Sequence, residues 1–301
     1  MTRVAFSALI ADAERGGYAV GYFESWSLES LLAVADAAQA VRSPVILGFS
    51  GIYLPHPHRG ARDPLAPYAA MAAAVADHID VPACLLFNEC AHLAWVREAI
   101  ALGFDLTMFS DDTLAPAEQA DTITALAAEA HERRAAVEAE LEPLAGVGGD
   151  LDAGDAAGGP RLTDPDAARA FVARTGIDAL AVNVGQMHWH GRRAARLDLG
   201  RLRRLRALSV PLVLHGGSSI EAADLRAAIA IGVSKINVGS RLKQTYFGAL
   251  RQACADVEAT VNPYEVIGSG LAQDVLVPGR LALQRDVERW MHLFGSAGKA
   301  A

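Results

Sequence analysis

At 301 residues, 52% hydrophobic and 21% charged, the chain has ample apolar material for a core and is too hydrophobic to be disordered. A net charge of −8, with one Arg-rich stretch ("RLRRLR", 201–206) whose leucines mark a solvated helix face, argues against nucleic acid as a partner. Three cysteines (Cys84, Cys90, Cys254) without CxxC pairing, an N-terminus that runs into an amphipathic helix, and no apolar run near the roughly 20 residues of a membrane span point to a cytoplasmic protein with no membrane partner.

Taken in chain order, short apolar runs alternate with segments of helical period. Strands are expected at 18–23, 44–50, 82–89, 105–112, 135–141, 179–185, 211–217 and 235–240. Several are apolar on both faces, as strands covered by helices must be. Helices are expected over 28–41, 92–103, 116–134, 164–176 and 220–232. The fourth carries Asp164 as N-cap, Pro165 at its first position and Gly176 past its end. Eight such βα units make one closed α/β domain, a (β/α)₈ TIM barrel over residues 1–301. The Gly- and Asp-rich stretch 146–160 reads either as a mobile loop over the barrel mouth, spanning 142–162, or as a surface insertion.

In such a barrel, reacting groups project from the C-terminal ends of the strands. Glu24, Glu89, Asp111, Glu140, His188, His215 and Ser240 all fall at or just past expected strand ends. The strand interiors look almost free of ionisable groups, with Glu138 the exception. His188 in "GQMHWHG" and His215 in "LHGGSS", with Glu89 as a third donor, suit Zn²⁺ or a similar divalent ion with one position left open. "HGGSS" and "NVGS" offer inward-turned amides and the Ser218 and Ser240 hydroxyls to an anion. The helix after strand seven is expected to begin near Ile220, which would put Ser218 and Ser219 at its N-terminus. Cys90 reads as a small residue at the core edge, and His56 and His58 as residues of a Pro-rich surface loop.

"LTDPDAARAFVARTGIDALAVNVG", "PLVLHGGSSI", "IGVSKINVGSRL" and the terminal "HLFGSAGKA" together resemble the class II, metal-dependent fructose-bisphosphate and tagatose-bisphosphate aldolases, over essentially the whole chain. That resemblance implies a (β/α)₈ barrel that cleaves phosphorylated ketoses by retro-aldol chemistry, as a homodimer or homotetramer. It implies that His188 and His215 are two of three zinc ligands. It also implies that Gly216, Gly217 and Ser218, with Asn237, Gly239 and Ser240, hold the substrate phosphate, and that Glu140 lies near the metal.

The pattern breaks at strand three, where the family usually has His-x-Asp-His. A gapless alignment puts Asn88 on the acid/base Asp and Glu89 on the ligand His. A one-residue shift would put Glu89 on the acid and Cys90 on the ligand. "FESWS" replaces the usual asparagines after strand one, Trp189 replaces a glycine, Arg241 an aspartate, and Arg192 stands for a phosphate-binding lysine. Because Asn88 cannot exchange a proton usefully, Glu24, Asp111 or Glu140 would have to serve in its place. The expected function is a divalent-metal-dependent aldolase-type lyase. The alternatives are a metal-dependent sugar-phosphate isomerase or epimerase, and a catalytically silent sugar-phosphate-binding homologue.

Overall fold

A computed structural model describes residues 2–142, 144, 161–187, 194–258 and 261–300. Its eight strands are β1 (Val20–Phe23), β2 (Val45–Ser50), β3 (Ala83–Cys90), β4 (Leu106–Phe109), β5 (Ala136–Glu140), β6 (Ala179–Ala181), β7 (Leu212–Leu214) and β8 (Val233–Val238). All are parallel and pair in sequence order, and β8 closes on β1 with Val20 opposite Lys235 and Tyr22 opposite Asn237. This is the single-domain (β/α)₈ barrel read from the alternation of apolar runs and helical segments.

The helices are α1 (Phe6–Gly16), α2 (Leu28–Ala40), α3 (Leu65–His78), α4 (Leu93–Ala101), α5 (Pro116–Glu132), α6 (Pro165–Thr175), α7 (Leu199–Leu205), α8 (Ala222–Ile231), α9 (Ser240–Ala255), α10 (Pro263–Val266) and α11 (Leu276–Phe294). Local chemistry sets their ends. Asp164 Oδ1 accepts the amides of Asp166 (3.0 Å) and Ala167 (2.9 Å) at the start of α6, as its Asp-Pro opening predicts. Ser27 and Ser30 form a reciprocal box at the start of α2.

Strand alternation divides the core in two. Outward residues such as Leu47, Phe49, Leu85, Phe87, Val137 and Ile236 pack under the helices. Inward Val20, Tyr22, Ile46, Cys84, Leu86, Leu106 and Val213 fill the barrel, and Phe6, Leu9 and Ile10 of α1 close its lower end. The lower barrel is therefore apolar. Polar side chains gather toward the C-terminal rim, with Lys235 and Glu138 the deepest of them, where a site can be held on rigid elements.

Two expectations need correction. Gly217–Ser219 form a short 3₁₀ turn, and α8 begins at Ala222 after Glu221, so Ser218 and Ser219 do not open that helix. The strand interiors are also less neutral than expected, because β8 starts at Val233 and places Lys235 inside the barrel, fully buried beside Glu138. His188, Trp189, Arg192 and most of the 142–162 loop lie outside the described residues.

Candidate active site

The rim is organised by a closed ring of six side chains from four strands. Lys235 Nζ lies 2.8 Å from Glu138 Oε2, and Glu138 Oε1 lies 2.7 Å from His215 Nε2. His215 Nδ1 lies 2.8 Å from Glu89 Oε1, and Asn88 Nδ2 donates to Glu89 Oε2 at 2.9 Å. Asn237 Nδ2 donates to Asn88 Oδ1 at 3.4 Å, and Lys235 Nζ donates to Asn237 Oδ1 at 2.6 Å, completing the circle. Every member except Glu89 is more than nine-tenths buried. Burial of so many polar groups is tolerable only because each has its partner.

The charges of the ring support one another. Burial alone would strip the His215 proton, but Glu89 and Glu138 outweigh it and push the imidazole up to about 10. Burial likewise works against the Glu138 charge, yet Lys235 and His215 hold its carboxyl below the usual range. Glu140, two residues on, is a different case. Burial, helped by the Glu89 charge, raises it despite His215 and the Ser110 hydroxyl, which donates to Oε1 at 2.6 Å.

Glu89 reaches His215 through a backbone exception. It sits at φ +50°, where the β3–β4 register shifts between Phe87 and Cys90. That kink turns Glu89 toward the ring and sends Cys90 into the outer core, fully buried, where burial pushes its thiol up to about 12. Glu89 therefore faces the site, and Cys90 faces away.

A ligating histidine ordinarily has its far nitrogen held by a carboxylate. His215 has that arrangement, with Glu138 on Nε2 and Glu89 beside Nδ1, so Glu89 and His215 fit as two donors to one divalent ion. Among the described residues no group of three His, Cys, Asp or Glu is placed to hold a metal, and the expected third donor, His188, lies outside them.

The two segments expected to cradle an anion meet on the rim. Gly216, at φ +63°, turns the chain so close to Met187 that a Cβ there would lie 2.6 Å from its carbonyl oxygen. Ser218 Oγ accepts the Arg241 amide at 3.4 Å, bringing the 3₁₀ turn beside the start of α9. Gly239 caps α9 and Ser240 begins it, so the amides of its first turn open on the same rim.

Glu24 lies just past β1. Its Oε1 pairs with Lys243 Nζ at 2.5 Å, and burial raises its carboxyl despite that cation. Lys243 Nζ also lies 5.9 Å from the Trp26 ring and 5.6 Å from the Tyr53 ring. Asp111 is not brought to the ring. Its Oδ1 is taken by the amide (3.0 Å) and hydroxyl (2.6 Å) of Thr113, which makes it a turn residue. The expected strand 105–112 ends three residues early, at Phe109, which is why Asp111 falls in a loop.

Sequence reasoning passed over Lys235, Lys243 and Tyr22. Lys235 shares the inward face with Asn237 by period two, a signal present in "KINV". Tyr22 lies below Glu24 on the same face, its buried hydroxyl without a hydrogen-bond partner and Lys235 Nζ 5.6 Å from its ring.

Known proteins share this barrel fold. The family model for class-II fructose-bisphosphate aldolase matches residues 4–299. Among curated proteins, the fructose-bisphosphate aldolase of Geobacillus stearothermophilus is 34% identical over 309 aligned residues, the full length of both chains. The sulfofructosephosphate aldolase of Alkalicoccus urumqiensis is 27% identical, over all of this chain and 99% of its own. Among solved structures, the YdjI aldolase from Escherichia coli K12 superposes with a TM-score of 0.82 at 27% identity, covering 99% of this chain and 100% of that one.

Proposed function

The chain belongs to the class-II fructose-bisphosphate aldolase family and is an aldolase-type lyase, and from that premise we propose that it cleaves or forms a C–C bond in a phosphorylated ketose with the help of a divalent ion, most simply Zn²⁺. One observation carries the reading. The ring holds Glu89 and His215 2.8 Å apart on the same rim as the amide cradle of Gly216, Gly217, Ser218, Asn237, Gly239 and Ser240. The two curated relatives are named for phosphorylated ketoses, which supports the same substrate class.

Glu89, His215 and His188 would hold the ion, which would supply Lewis-acid polarisation of the ketose carbonyl. Glu138 fixes the His215 ring, and Lys235 keeps Glu138 charged so that it can do so. Asn88 orients Glu89 through its amide but carries no proton to exchange. Glu140 is the carboxyl assigned to move a proton at the aldehyde oxygen, because burial raises it above the usual carboxylate range. Glu24 and Arg192 stay with the substrate: Glu24 at the β1 side of the rim, Arg192 as the expected partner of the phosphate. Asp111, engaged with Thr113, is the weakest of the proposed carboxylates.

Assembly as a homodimer or homotetramer is supported by exposed apolar side chains at Tyr264, Ile267 and Leu271, in and after α10. No helix among the described residues is long and apolar enough to cross a membrane. The buried free thiols of Cys84 and Cys90 suit a cytoplasmic setting.

The test is a cleavage assay across phosphorylated and free ketoses, with the protein chelated and then reloaded with Zn²⁺, Co²⁺ or Mn²⁺. Release of a triose phosphate that is lost on chelation and restored by metal is expected. Absence of cleavage from every ketose at full metal loading would reject the proposal.

A further inference from the structure

The two oxygens of Glu24 face different partners. Oε1 is held by Lys243, while Oε2 lies against the backbone at Gly239, where an added Cβ would come within 2.4 Å of it. The Glu24 backbone is tied to the same turn, since its amide donates to Val238 O at 3.0 Å. An internal anion therefore sits at the turn from β8 into the 16-residue helix α9, beside the amides that would take a substrate phosphate. A side chain at position 239 would push the carboxylate out of this place. Lys243, flanked by the Trp26 and Tyr53 rings, neutralises the outer oxygen and leaves the inner one to face the cradle.

Such a carboxylate has two effects on a ligand. It repels a bare dianion, and it accepts a hydrogen bond from a sugar hydroxyl carried next to the phosphate. We propose that Glu24 is a specificity-determining residue, weakening the cradle for free phosphate and reserving it for a phosphate ester that brings a hydroxyl to Glu24 Oε2. Lys243 then acts as a positioning residue that partly screens this charge. The inference rests on the reading that Gly216–Ser218 and Gly239–Ser240 hold the phosphate of the substrate.

The experiment measures calorimetric affinities of the full-length protein for inorganic phosphate and for a three-carbon hydroxyketone phosphate, so no turnover is needed. The proteins compared are wild type, Glu24→Gln, Lys243→Met and the double variant, each checked for unchanged thermal unfolding. Glu24→Gln should bind inorganic phosphate about tenfold tighter and lose most of the preference for the hydroxyketone ester. Lys243→Met should bind inorganic phosphate at least several-fold more weakly, and the double variant should recover the Glu24→Gln affinity. Equal or weaker phosphate binding by Glu24→Gln, with wild type still binding, overturns the role of Glu24 alone. A double variant as weak as Lys243→Met would make Lys243 a direct phosphate contact and overturn its screening role. No phosphate binding by any of the four proteins overturns the cradle reading and this inference together.

Discussion

His215 couples the site to pH through its two carboxylate neighbours. Its imidazole lies well above the unfolded value of about 6.5, so the folded state binds its proton more tightly than the unfolded state does. The stability it contributes is complete below about pH 6.5 and is lost as pH rises through its folded value of about 10. Glu138 has the opposite sign: held low, it contributes above the ordinary carboxylate range and loses that contribution as pH falls. The chelated protein should therefore lose on the order of a few kcal/mol of stability between pH 7 and 10. His215→Asn, which cannot take up the proton, should flatten that limb. Denaturant midpoints at several pH values are the measurement, and equal slopes for the two proteins would rule the linkage out. A divalent ion held by Glu89 and His215, as proposed, would take the place of the proton, so the loaded protein should resist alkaline loss better.

At the scale of single elements, β2 and β3 show where backbone geometry governs chemistry. Gly48 in β2, at φ +156°, runs so close to β3 that a Cβ would lie 1.8 Å from Leu86 O, a backbone atom with nowhere to go. Gly48→Ala should cost about 3 kcal/mol or more. Gly176→Ala, also at positive φ but with nothing within 4 Å, should cost only about 1–2 kcal/mol of conformational strain. Unfolding midpoints of the two variants compare clash with strain directly, and a mild Gly48→Ala would deny that β2 and β3 must approach this closely. The neighbouring strand also shows why the site was only partly legible in the sequence. Period-two alternation from Leu86 and Asn88 would turn Glu89 outward and Cys90 inward. The left-handed backbone at Glu89 reverses both, and no local pattern announces it. Lys235 was legible by period two, but only once the strand is begun at Val233 rather than at the lysine itself. Asp111 was overread because a strand drawn three residues too long lifts a turn-capping carboxylate onto the rim.

For the whole molecule, the barrel was legible because strands buried on both faces and capped helices leave strong signals unit after unit. The last helices leave weaker ones: α9 buries only Leu242 and Tyr246, and α11 belongs to no strand that follows it. Yet α11 and the tail beyond it fasten the end of the chain to the first βα units. Arg280 makes two bonds to Asp36 Oδ2 (3.1 and 2.6 Å), and Phe294 stacks on Phe23 at 6.1 Å. The Gly298 amide donates to Val41 O (2.8 Å), the Ala300 amide to Arg42 O (2.9 Å), and the buried Ser43 hydroxyl to Ser296 Oγ (2.8 Å). Deleting residues 295–301 would remove all three tail bonds and leave the Ser43 hydroxyl buried with one partner fewer. At about 1 kcal/mol per net hydrogen bond, the loss should be on the order of 3 kcal/mol, visible as a fall in Tm. The effect should reach the site as well, because Glu24 follows β1 while Lys235 and Asn237 ride on β8, so the rim is continuous there only while that seam stays closed. The truncated protein should therefore lose catalytic activity at a temperature below its own unfolding midpoint, whereas the intact protein should keep the two together. Coincident loss in both proteins, or an unchanged Tm, would show that the seam between the first and last units is held by the strands alone.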